Sequence, residues 1–202
     1  MTSQPIRDPR QDHLLTPQNA ALIVIDYQPI QVTSVASMDR REMVTNVTAV
    51  AGLAKLYGLP IVLSTVNVKT GKNPPTIHQL QDVLPNQESF DRTTINAWED
   101  EEFLRAVKAA GRKQLLICAL WTEACLTFPT LDALREGYEV YPVVDAVGGT
   151  SLKAHDAALV RMTQAGAKLV SWVQVACELQ RDWVRAETAP KFAEILFAVE
   201  GR

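Results

Sequence analysis

Short apolar runs recur through this chain, and stretches with helical spacing separate most of them. The first run, residues 20–25, is aliphatic and β-branched almost throughout and ends at Asp26. Such a run suits a strand buried on both faces, as in a parallel sheet. Similar runs follow at 61–66 (IVLSTV), 114–120 (QLLICAL), 138–146 (YEVYPVVDA) and 167–176 (AKLVSWVQVA), with a shorter strand at 89–93. Residues 39–57 place Met43, Val47, Val50, Ala51 and Ala54 at helical spacing, with Gly58 where a C-terminal cap belongs. A short helix is expected at about 77–83. Longer ones are expected at 99–110, 122–136 and 151–164, closed by Gly111, Gly137 and Gly166, and helical patterns follow at about 177–186 and 189–199. Strands alternating with helices predict an α/β fold: a three-layer doubly wound sheet of about six mainly parallel strands. Residues 1–19 carry three prolines and no period, and read as an N-terminal arm, either a surface lead-in or a segment packed on a neighbour. One domain is expected over 20–202.

Composition narrows the function. The 202 residues suffice for one sizeable core, and the 47% apolar and 21% charged fractions are those of a globular protein. The formal net charge of −3 offers no basic excess for nucleic acid or an anionic membrane, so neither is expected as a partner. The N-terminus lacks a long apolar signal core, and no apolar run approaches the roughly 20 residues that span a bilayer, which leads to an expected cytoplasmic location. The three cysteines, Cys118, Cys125 and Cys177, are odd in number and form no C-x-x-C. That argues against a disulfide framework and a zinc ribbon. His13, His78 and His155 stand apart, no G-x-G-x-x-G or P-loop is present, and the Gly148–Gly149 pair lacks pyrophosphate spacing. No cofactor and no metal are expected.

In open parallel sheets, ligands bind at the carboxyl ends of strands, near the point where strand order reverses. The expected strand ends carry Asp26, then Thr65 and Asn67, then Trp121, Thr122 and Cys125, then Asp145. Cys125 falls in the first turn of the expected helix at 122–136, where unpaired N–H groups and the helix dipole favour a thiolate. It reads either as a nucleophile or as a small buried hydrophobe. Asp26 reads either as a general base within reach of Cys125 or as a turn aspartate. Cys118 and Cys177 read as packing residues, and Arg92, on spacing alone, as an ordinary surface arginine.

Three segments together resemble the isochorismatase-like cysteine hydrolase superfamily: ALIVIDYQ at 21–28, RTTINAW at 92–98 and ALWTEACLTFPTLDAL at 119–134. YEVYPVVDA and SWVQVACELQRDW at 171–183 are similar to its YcaC-like branch. The resemblance implies Asp26 as the base, Cys125 as the nucleophile, a cis Leu120–Trp121 bond, and an oxyanion hole formed by the backbone N–H groups of Trp121 and Cys125. It puts Arg92 where the family carries a catalytic lysine, and Ala119 where it carries glycine. Substrate would lie against Asn67, Trp98, Trp121 and Phe128. The histidine pattern of the zinc-dependent nicotinamidase branch is absent, since Tyr27 and Gln28 follow Asp26.

The expected function is therefore hydrolysis of a small amide-type C–N bond through a thioester-type acyl-enzyme. The resemblance also implies a homo-oligomer, an octamer in the YcaC-like branch. The alternative is a catalytically weak or inert fold serving as an oligomeric binding or assembly module. Thiol-redox sensing ranks last, because Cys118 lies on the same segment with no defined orientation toward Cys125.

Overall fold

The computed structural model describes residues 5–201, so the first four residues of the expected arm and Arg202 lie outside the described residues. A parallel sheet is formed by β1 (Ala20–Ile25), β2 (Ile61–Val66), β3 (Ser89–Arg92), β4 (Gln114–Ala119) and β5 (Glu139–Pro142). Its order is β3-β2-β1-β4-β5. Every residue of β1 and β4 is buried, as their uninterrupted apolar character requires of central strands. The order reverses between them: the chain steps from β1 outward to β3 and returns to the other side of β1 as β4. Ile25 pairs with Ala119, so the two strands end together at the switch point.

Among the described residues, eight α-helices connect and flank the strands: α1 (Pro29–Ser34), α2 (Arg40–Leu56), α3 (His78–Val83), α4 (Glu101–Ala109), α5 (Thr127–Arg135), α6 (Leu152–Gln164), α7 (Trp172–Gln180) and α8 (Ala189–Glu200). Local chemistry starts them where the sequence signals lie. Asp39, Asp100, Ser151 and Ser171 each accept a backbone N–H from the first turn of α2, α4, α6 and α7. Gly58, just beyond α2, has φ +66°, a conformation that glycine adopts without a Cβ penalty.

The fold class is as expected, with a difference at each end. Among the described residues, five strands form rather than about six. In the segment at 167–176, only Val170 bridges to Val143. Ser171 then caps α7 through its side chain, and Asp145 accepts the Trp172 N–H, so the β-branched run after it winds into helix. Cys177 consequently lies exposed on α7 instead of packing. At the other end, the arm folds back on its own chain: Leu15 is buried, its N–H donates to Glu178, and its carbonyl accepts from Arg181.

Candidate active site

The switch point gathers three side chains that the sequence singled out. Asp26 follows β1 with φ +62°, a left-handed conformation uncommon outside glycine and typical of functional turns. Arg92 ends β3, two inter-strand spacings away, which is roughly 9–10 Å. Its side chain crosses the end of β2 to reach Asp26. Nη1 and Nη2 donate to Oδ1 and Oδ2, each at 2.7 Å, and both side chains are fully buried. Nη1 also donates to Ser64 Oγ and the Thr65 carbonyl, and Nη2 to the Ile95 carbonyl, each at 3.1 Å. Arg92 is therefore no surface residue, and its terminal nitrogens are fully engaged.

Cys125 sits opposite this pair. The helix expected over 122–136 opens as a π-turn, Thr122–Leu126, before α5 begins. Pro129 supplies a reason: it has no N–H for the Cys125 carbonyl, and its ring would crowd that carbonyl in a regular α-turn. The Leu120–Trp121 peptide is cis. The Trp121 backbone donates toward the Cys125 sulfur. Burial and then the Asp26 carboxylate push the Cys125 thiol up to about 12, and Arg92 and the Trp121 N–H offset this only in part. Burial and Asp26 thus work against the thiolate that a helix start by itself would favour. Cys118, inside β4, is fully buried and also raised by burial.

The expected substrate contacts divide. Trp121 is half-buried at the site, and its indole N–H donates to Ser34 Oγ at 2.7 Å. Phe128 lines a recess of ≈ 310 Å³ with Ile95, Asn96 and Leu131. Asn67 follows β2 in the left-handed region, and its N–H donates to the Arg92 carbonyl. Trp98 is buried edge-on against Phe103 and Tyr138, and its indole N–H donates to Glu136. Asp145 serves structure, capping the start of α7.

Several supporting residues had no sequence signal of their own. Ser64 braces Arg92 and donates to the Phe90 carbonyl. Gln28, fully buried, bonds both the N–H and the carbonyl of Val66 and holds the end of β2. Ser34 belongs to α1, a single short helix missed because it has no apolar period. Among the described residues, no group of three or more His, Cys, Asp or Glu side chains could hold a metal ion, and no helix is long and apolar enough to cross a membrane.

The isochorismatase domain model matches residues 20–174, which span all five strands and the three site residues. The chain belongs to the isochorismatase family. It is 40% identical over 170 residues to the probable hydrolase YcaC of Escherichia coli, covering 84% of this chain and 81% of that one. YcaC from Pseudomonas aeruginosa, whose structure is described with hexane-2,5-diol and covalent acrylamide, superposes with TM-score 0.82 at 36% identity over 93% and 98% of the two chains. The E. coli YcaC crystal structure, described as an octameric hydrolase of unknown specificity, gives the same TM-score at 34% identity over 98% and 99%. The YcaC-like character read from the sequence is thereby established.

Proposed function

We propose that this isochorismatase-family protein is a hydrolase that uses Cys125 as nucleophile on a small amide-type substrate. The observation that carries this reading is the convergence of a buried thiol, a fully buried Asp26–Arg92 pair and the Trp121 backbone N–H at the carboxyl ends of β1 and β4. In the first step, the thiol proton passes to Asp26 as sulfur bonds the carbonyl carbon. The carbonyl π electrons move to oxygen, and the N–H groups of Trp121 and Cys125 donate hydrogen bonds to the resulting oxyanion. Asp26 returns the proton to the departing nitrogen as the C–N bond breaks. Water then gives a proton to Asp26 and attacks the thioester; the C–S bond breaks, the acid leaves, and Asp26 passes its proton to the sulfur, which restores the thiol and the carboxylate. Asn67, Trp121 and Phe128 would bound the substrate. By likeness to the octameric E. coli relative, a homo-oligomer is part of the proposal.

A second reading has its own support. The two-point clamp on Asp26 and the raised thiol favour a weakly active or inert site in an oligomeric binding protein. A panel of small amides and carbamoyl compounds, offered to wild type and Cys125→Ser, separates the two. Hydrolysis by wild type that is lost in Cys125→Ser supports the enzyme. Tight binding of a compound without turnover supports the binding protein.

A further inference from the structure

We propose that His155 is a positioning residue, one that holds the turn carrying Cys125 through Thr122. The inference rests on the reading of Cys125 as the nucleophile. Thr122 is fully buried and stands between the cis peptide and Cys125. Three bonds fix it. Its N–H donates to the Gly148 carbonyl at 3.0 Å, its carbonyl accepts from Thr127 Oγ1 at 2.6 Å, and its Oγ1 lies 2.9 Å from His155 Nδ1. The first uses backbone alone and the second stays within the turn and α5. The third is a side-chain brace from a separate element, the first turn of α6.

The brace has a firm base. The His155 N–H bonds the Ser151 carbonyl, and Ser151 caps α6. Gly149 packs so closely beside it that an added Cβ would lie 3.1 Å from His155 Cβ and 2.6 Å from Glu123 Oε2. Glu123, on the nucleophile turn, is in turn fixed by the N–H and hydroxyl of Thr150. The base of the histidine is thus held beside Gly149 while its half-buried ring reaches Thr122, and a rotation of Thr122 would break that bond. Thr122 adjoins Trp121, so the same brace aims the N–H directed at sulfur. Displacement of a reacting group by about 1 Å can cost up to roughly a hundredfold in rate.

The test uses acrylamide, an electrophile whose addition needs no knowledge of the substrate, with adducts assigned to the Cys125 peptide by mass spectrometry so that exposed Cys177 is counted separately. Wild type, His155→Phe and His155→Asn are compared after circular dichroism and melting show that each is folded. Asparagine places a hydrogen-bonding atom near the position of Nδ1, and phenylalanine does not. The expected result is that His155→Phe slows addition roughly tenfold or more, while His155→Asn stays within about threefold of wild type. Should His155→Phe not fold, Thr122→Val removes the same bond from its other end, with the same expectation. Equal rates for wild type and the bond-deleting variant overturn the proposal, as do equally slow phenylalanine and asparagine variants. A wild-type Cys125 that never labels overturns the nucleophile reading itself, and the brace with it.

Discussion

The Arg92 guanidinium engages both oxygens of Asp26, at 2.7 Å each, where neither side chain meets solvent. Removing one partner leaves the other charge buried and unpaired, which costs about 3–5 kcal/mol. Asp26→Asn and Arg92→Met are each expected to lose stability of that order in urea unfolding, while the double variant loses less than their sum. Additive losses would show that the pair is not coupled.

The same clamp governs the thiol. Asp26 raises the Cys125 pKa and Arg92 lowers it, so Asp26→Asn should move the thiol titration below its value of about 12. Arg92→Lys replaces the planar fork with a compact ammonium that has three rotatable donors, free to face sulfur as well as carboxylate. It too should lower the midpoint and speed acrylamide addition. Thiolate absorbance against pH, corrected with Cys125→Ser, measures both shifts. An upward shift in either variant contradicts this electrostatic account.

Trp98 separates core from pocket. Trp98→Phe keeps an aromatic ring but loses the hydrogen bond to Glu136. A loss of about 1–2 kcal/mol is expected in thermal or urea unfolding. Acrylamide addition at Cys125 should not change. A stable variant with altered Cys125 reactivity would place Trp98 at the site.

Much of this was legible in the chain because burial on both faces leaves an uninterrupted apolar signature, as in β1 and β4. An acid ending such a strand stands out, so Asp26 was readable, and the strand-end position of Cys125 likewise. Arg92 was not readable from spacing, because its role depends on crossing the end of β2, a relationship that sheet order alone creates. The segment at 167–176 misled because β-branched and aromatic residues suggest strand, whereas the Ser171 cap and Asp145 decide for helix. Trp98 lies near Arg92 in sequence, but its edge-on packing against Phe103 and Tyr138 depends on contacts distant along the chain.

Gly148 joins the fold to the site. Its carbonyl receives the Thr122 N–H, and an added Cβ would lie 2.5 Å from Val35 Cγ1 and 3.1 Å from Met43 Sδ. Gly148→Ala should therefore destabilise the fold by about 1–3 kcal/mol through overpacking and slow acrylamide addition at Cys125. Calorimetry with peptide mapping checks both effects. An unchanged melting temperature would show that Val35 and Met43 yield to the methyl group.

The most direct measurement captures the covalent intermediate. Any amide that the protein hydrolyses is mixed with wild type, quenched in acid within the first turnovers, and the digest is weighed by mass spectrometry. The Cys125 peptide is predicted to gain the mass of the acyl group, with no such gain at Cys118 or Cys177 and no turnover in Cys125→Ser. Turnover that persists in Cys125→Ser, or an acyl group carried by another residue, would contradict the assignment of Cys125 as the nucleophile.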